Sequence, residues 1–301
     1  MKFYQKTFNK ASIIAETRNQ RPFVSEKDTQ CPFCLGNEES LEEIIVEKWE
    51  QDKLFIRIVP NRYPITSEKG AKGIHDVIID THDHTLHPKD FSKQHWEVLL
   101  HTIQKRWHAL VNVPLIHFIQ VFKNYGEAAG ASIAHSHWQL VALESLPYTV
   151  KVQYEIYHSL PNISCYLCDL SYQEEGRVIL EETLWRVWIP PLPEFPYEVW
   201  LIPRHHHQHY GQLSLLEIKA LGKLIKDLLQ TYDKLDLGDA FNICFMSGDV
   251  KGKYPYHFHI KLMLRTGRIA GFEIATGCHI LGIAPQIYAD QIKKILKGMC
   301  K

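Results

Sequence analysis

The sequence predicts an α+β fold built twice over, as two tandem repeats that each lay one amphipathic helix across an antiparallel sheet. Three observations predict it. Cys-x-x-Cys occurs twice, as "CPFC" at 31–34 and "CYLC" at 165–168. Each pair is followed by apolar runs of strand length and then by one long stretch of helical period. Each half closes on His-x-His followed by a strand-like run, "HSHWQL" from His135 and "HFHIKL" from His257.

The elements between these landmarks agree in order. "LFIRIVPN" at 54–61 is answered by "LWRVWIPP" at 184–191, and "HDVIIDTHDH" at 75–84 by "YEVWLIPRHH" at 197–206. The first predicted helix carries Trp96, Leu99, Leu100, Ile103, Trp107 and Leu110 at helical spacing. The second carries Leu216, Ile218, Leu221, Leu224, Ile225, Leu228 and Leu229. A strand follows each helix, "LIHFIQVF" and "AFNICFM". We therefore place an N-terminal repeat within 1–150 and a C-terminal repeat within 151–301.

Bulk properties narrow the function. Lys+Arg and Asp+Glu both total 34, so the net charge is zero. That argues against a generic nucleic-acid or anionic-membrane surface. No run approaches the roughly 20 apolar residues of a membrane span, and "MKFYQKTFNKASIIAETRNQ" has no signal-peptide core. The expectation is a soluble cytoplasmic protein that binds neither membrane nor nucleic acid. A zinc-stabilised nucleic-acid module, the alternative from another class, lacks the basic or aromatic stripe it needs.

Seven cysteines in a chain with no secretion signal point to metal binding rather than a disulfide framework. A Cys-x-x-Cys turn offers two thiolates to one tetrahedral ion. In a zinc ribbon the second pair follows within about 20 residues; here it lies in the other half, so each half completes its own site with histidines. The expected ligands are Cys31, Cys34, His84 and His135, and Cys165, Cys168, His206 and His257. His75, His82 and His87 compete with His84, and His205, His207 and His209 with His206; aligning the halves selects between them. A thioredoxin-like dithiol would need a strand-then-helix context that is absent.

The stretch "NYGEAAGASIAHSHWQLVALE" from Asn124 places glycines and a serine ahead of His-x-His. Alternate strand residues share a face, so His135, His137 and Gln139 point the same way. If His135 holds a metal, His137 is held beside it at the mouth of a Gly-rich loop. Gly126 and Gly130 allow close backbone approach, and Asn124 and Ser132 add short polar groups suited to phosphate oxygens. A neutral imidazole is a competent nucleophile toward phosphorus. No Ser-His-Asp triad or carboxylate pair competes with it.

"KNYGEAAGASIAHSHWQL" resembles the active-site segment of the galactose-1-phosphate uridylyltransferase family, a branch of the histidine-triad superfamily. "RNQRP" at 18–22, "VPNRYP" at 59–64, "IIDTHDH" at 78–84 and "IAGFEIATGCHI" at 269–280 extend the resemblance over nearly the whole chain. Two Cys-x-x-Cys sites look most like the subgroup that includes plant ADP-glucose phosphorylase. The resemblance implies that His137 attacks the α-phosphorus of a nucleoside diphosphate sugar. Sugar 1-phosphate then leaves, and a second phosphate nucleophile takes the nucleotide. It further implies that Gln139 bonds the α-phosphate oxygens, that Asn124, Gly130 and Ser132 hold phosphates, and that Asn61 touches the nucleoside. Arg18 and Arg21 match nucleotide-site positions, in some members across a dimer interface. Glu273, Thr276 and Gly277 are expected near the substrate. Zinc, nucleotide sugars, galactose metabolism and a homodimer follow from the same resemblance. Hydrolysis of the nucleotidyl-histidine, as in smaller histidine-triad proteins, is the alternative chemistry. In the second half His259 matches His137, Lys261 stands at the Gln139 position, and "SGDVKGKYPY" replaces the Gly-Ser loop, so that copy reads as structural. Trp138, where a smaller residue is common, bears on base or sugar preference.

Overall fold

In the computed structural model, residues 12–20, 31–50, 54–68, 70–159, 165, 167–169, 177–252 and 256–299 are described. Among these residues ten strands form one sheet: β1 (Val46–Glu50), β2 (Leu54–Pro60), β3 (Gly73–Ile79), β4 (Phe118–Tyr125), β5 (His137–Leu143), β6 (Val178–Glu181), β7 (Trp185–Trp188), β8 (Val199–Pro203), β9 (Phe241–Met246) and β10 (His259–Leu264). From one edge the order runs β1-β2-β3-β5-β4, and from the other β6-β7-β8-β10-β9. The two halves are therefore the same five-stranded arrangement. They meet where β4 pairs antiparallel with β9, Asn124 opposite Asn242. The α+β expectation holds, with one difference: the two sheets are fused edge to edge. Fusion removes the inner edges of both sheets, whose unpaired backbone groups would otherwise need cover.

Helices α1 (Lys93–Val111) and α3 (Leu215–Leu235) lie on one face of this sheet and pack against each other. Ser92 caps α1 by accepting from the His95 N–H, and Ser214 with Glu217 forms a full capping box on α3. The predicted stripe of α1, from Trp96 to Leu110, is buried throughout. Each such side chain contributes about 1.5–3 kcal/mol, so truncating Trp96 alone would cost about 3–5 kcal/mol. On α3 one expected core position is corrected. Leu216 is 69% exposed, because it sits in the first turn and Ile218, Leu221, Ile225 and Leu228 define the buried stripe. A further helix, α2 (Tyr148–Ser159), leads out of the first half. The short α4 (Gly271–Thr276) has no buried residue, and α5 (Pro285–Met299) packs on α3 through Tyr288, Ile292 and Leu296.

Strand parity sorts the rest. Trp138, Leu140 and Ala142 of β5 enter the helix-covered core with Ile78 of β3 and Ile56 and Ile58 of β2. Their neighbours His137 and Gln139 therefore point to the opposite face. There Phe55, Val59, Val77 and Ile79 pack around Cys31 and Phe33. Among the described residues, no helix is long and apolar enough to cross a membrane.

Candidate active site and metal centres

The first Cys-x-x-Cys turn lies against the end of β5. His135 Nδ1 is 3.7 Å from Cys31 Sγ and 3.5 Å from Cys34 Sγ, and His84 Nδ1 is 3.3 Å from Cys34 Sγ. Two sulfurs at about 2.3 Å and two nitrogens at about 2.0–2.1 Å around a tetrahedral ion would stand roughly 3.5 Å apart, so the residues fit zinc. The donor chemistry fits as well. Burial pushes the Cys31 thiol up to about 12 in the absence of a cation, which makes a thiolate there costly unless an ion neutralises it. His135 Nε2 donates to the Thr81 carbonyl at 2.8 Å, which leaves Nδ1 as its ligand atom.

The second tetrad repeats this construction. His257 Nδ1 lies 3.4 and 3.3 Å from Cys165 and Cys168, His206 Nδ1 lies 3.5 Å from Cys168, and His257 Nε2 faces the Pro203 carbonyl. The rival histidines have other surroundings. His75 lies on β3, and His87 stacks edge-on against Tyr125. His209 stacks on Trp107. His205 and His207 flank His206 on the opposite side of the chain and bond the buried Glu217 carboxylate at 3.2 and 2.9 Å. That carboxylate is the one that caps α3, so this third convergence completes a helix cap.

Beside the first tetrad is a cleft of about 240 Å³. His137, Gln139, Ser132 and Asn61 line it, with Phe33, Leu41, Val59, Tyr63 and Val77 forming its apolar walls. His137 Nδ1 donates to the His135 carbonyl at 2.8 Å. The other nitrogen, Nε2, therefore carries the lone pair. Burial lowers the pKa of this ring to about 4. Phe33, from the Cys-x-x-Cys turn itself, sets its edge against the imidazole at 5.1 Å.

Two supports escaped the sequence reading. Lys123 is wholly buried on β4, and its Nζ donates to Asp80 Oδ2 (2.8 Å), Ser136 Oγ (2.7 Å) and the His137 carbonyl (3.2 Å). Burial lowers the pKa of Lys123; it would raise that of Asp80, but the Lys123 charge overrides it and holds the carboxyl below its ordinary range. This pair ties the backbone between His135 and His137 to the end of β3. His75, on the cleft-facing parity of β3, reaches Gln139 Oε1 at 3.1 Å. Parity in "HDVIID" could have revealed His75; nothing local in the sequence pairs Lys123 with Asp80.

The remaining expected site residues divide. Arg18 Nη1 donates to the carbonyl of Tyr63 at the cleft, and Arg21 lies outside the described residues. Asn124 turns to Asn242 at the seam, where its Oδ1 accepts from Nδ2 at 2.8 Å. Gly126 and Gly130 bracket a single 3-10 turn at φ 80° and 83°. A Cβ on Gly126 would come within 2.8 Å of Ala240, so close approach to the second half already requires that glycine. None of these three lines the cleft. Glu273, Thr276 and Gly277 also lie away from it within one chain. They cap and close α4, Glu273 accepting from the Ala270 N–H and Gly277 taking a left-handed φ of 71°. Trp138 faces the helices, edge-on to Trp96 and Phe245, and so does not touch a ligand in the cleft.

Comparison with known proteins agrees with the resemblance. Residues 13–146 match the model of the N-terminal domain of DUF4931, a domain of unknown function. The chain is 28% identical to ADP-glucose phosphorylase of Arabidopsis thaliana, over 95% of this chain and 90% of that one. It is 25% identical to galactose-1-phosphate uridylyltransferase of Thermotoga maritima, over 94% of both. The crystal structure of the Arabidopsis phosphorylase with bound ADP-glucose superposes with a TM-score of 0.78, covering 95% of this chain and 96% of that one. A uridylyltransferase structure at 20% identity superposes at 0.82, covering 99% of both chains, and shares the fold.

Proposed function

We propose that this protein is a nucleotidyltransferase that moves a nucleoside monophosphate from a nucleoside diphosphate sugar to phosphate or a hexose 1-phosphate. The observation that carries this reading is His137: its Nδ1 proton is committed to the His135 carbonyl, so the neutral ring keeps its lone pair on Nε2, and the residue lines a cleft of about 240 Å³. Nε2 attacks the α-phosphorus, the bond from phosphorus to the bridging oxygen breaks, and sugar 1-phosphate leaves with that electron pair. The His135 carbonyl stabilises the cationic nucleotidyl-imidazole through the same Nδ1–H. An acceptor phosphate oxygen then displaces Nε2 from phosphorus and restores the ring.

Gln139 and Ser132 are the polar groups placed to meet the phosphates, and Asn61 and the apolar walls take the nucleoside. Cys31, Cys34, His84 and His135 would hold one zinc and Cys165, Cys168, His206 and His257 a second. Zinc in the first tetrad supplies no reacting group; it holds His135, and through it His137, at the end of β5. Asn124, Gly126 and Gly130 shape the loop behind Ser132. Arg18 and Arg21 serve the nucleotide side. Glu273 and Thr276 of α4 and Gly277 at its C-cap, half-buried or exposed, reach substrate across a homodimer. The halves divide at about residue 150, and cysteines that form no disulfide among the described residues suit the cytoplasm.

The test is mass spectrometry after incubation with ADP-glucose or UDP-glucose. One nucleoside monophosphate should appear on His137 and persist until phosphate or a hexose 1-phosphate is added. Rapid loss in plain buffer would turn the reading to hydrolysis, and absence of an adduct with every nucleotide sugar would end it.

A further inference from the structure

A side-chain amide can present either its oxygen or its NH₂ to a phosphate, and only the NH₂ attracts one. Gln139 is 92% buried at the side of the cleft, so something in the protein has to set which end faces inward. His75 is placed to do so. It is 4% exposed, on the same face of the sheet as Gln139, one diagonal step away across the β3–β5 ladder.

The ring's protonation state follows from its partners. The Ile65 N–H donates to His75 Nδ1 at 3.1 Å, and a backbone N–H can only donate. Nδ1 is therefore unprotonated, and the neutral ring carries its proton on Nε2. That nitrogen is 3.1 Å from Gln139 Oε1, which accepts. Asn61 Nδ2 is also 3.2 Å from Nε2. Its own Oδ1 accepts from the Tyr63 N–H at 2.8 Å, so Nδ2 is a donor and cannot bond a protonated Nε2; of the two neighbours only the Gln139 oxygen can accept from it.

We propose that His75 is the positioning residue for Gln139: a chain of one-way hydrogen bonds from Ile65 through His75 fixes the amide oxygen inward and turns the NH₂ toward the α-phosphate. Because Ile65, Asn61 and Tyr63 belong to the chain after β2, the same ring ties the nucleoside wall to the phosphate donor. The inference rests on the reading of Gln139 as that donor. His75→Phe keeps a buried ring but frees the amide to rotate. It should slow adduct formation by about 10- to 100-fold, less than loss of the donor itself, with KM for the nucleotide sugar changed by no more than about threefold. His75→Gln can accept from Ile65 and donate to Gln139, and should recover most of the rate.

The experiment is a double-mutant cycle on adduct formation, with melting temperature as the folding check. In a Gln139→Ala background, His75→Phe should have no further effect; an undiminished effect there would overturn the proposal, as would a wild-type rate in His75→Phe alone. Independently of activity, the ¹⁵N–¹H spectrum of histidine-labelled protein should show His75 protonated on Nε2. A proton on Nδ1 would sink the hydrogen-bond chain whatever the enzyme does. If wild type forms no adduct, the reading of the cleft fails instead, and the tautomer alone decides whether His75 orients the amide.

Discussion

The two halves of the sheet share strand order, Cys-x-x-Cys turn, tetrad and His-x-His, yet differ where a ligand would sit. In the first, Val77 stands opposite Gln139. In the second, Trp200 stands opposite Lys261 at the matching register. The indole stacks on His259 at 4.5 Å and 25°, and Tyr256 lies nearly parallel to the same ring at 6.1 Å and 16°. His259 Nδ1 donates to the His257 carbonyl just as His137 does to His135, but its Nε2 is buried without a hydrogen-bond partner. Lys261 is bound to Glu194 at 2.9 Å. The Cys/His tetrad is thus retained in both copies, while in the second copy aromatic rings pack against the imidazole. On the proposed mechanism, an imidazole placed like His137 acts as a nucleophile only where its second nitrogen meets open space, and that of His259 does not.

The sharpest way to break this comparison is to remove each imidazole in turn. His137→Asn should abolish nucleotide transfer, by at least about 10⁴-fold, as loss of a nucleophile does. His259→Asn should leave the rate within a few-fold while lowering melting temperature, since it disturbs a stacked, buried ring. Comparable loss from both would mean that the halves act together. The tetrads come next. Cys34→Ser and Cys168→Ser should each release one zinc by elemental analysis and lower Tm by on the order of 10 °C. Only Cys34→Ser should also slow adduct formation, because only the first tetrad braces a cleft-facing histidine. Equal activity loss would place both metals in support of one site.

Much of this was readable from the chain. The helical period located α1, and aligning the halves selected His84 and His206 from clusters of rivals, because a repeat constrains spacing more tightly than any single motif does. What was not readable depends on contacts between distant segments. Asn124 and Gly126 read as phosphate-loop residues but meet Asn242 and Ala240, because the seam between halves passes through that loop. Lys123 looks like a solvated strand end until Asp80 and Ser136 close around it. Trp138 carried a sign in the sequence: alternation places it opposite His137, among the helices.

A smaller effect sharpens the comparison at its most divergent pair. Gln139→Ala should cost about 10²–10³ in rate, as does loss of a donor aimed at developing charge. Lys261→Met should cost nothing measurable in rate, and its signature should appear in stability against pH. Burial would raise the pKa of Glu194, but the charge of Lys261 and its hydrogen bond hold it below the ordinary 4.5. A carboxyl with a lowered folded pKa stabilises the protein above its unfolded pKa, and that contribution disappears as pH falls through the folded value. In Lys261→Met both of those are lost, and burial is opposed only by the weaker charge effect of His279. The stability difference between wild type and variant in urea should therefore be largest near pH 7 and shrink below pH ~4.5. It should stay under about 1 kcal/mol, because the Glu194 side chain is 44% exposed and screened by water. A difference that does not change from pH 7 to 3 would show that Lys261 is held by something other than this ion pair.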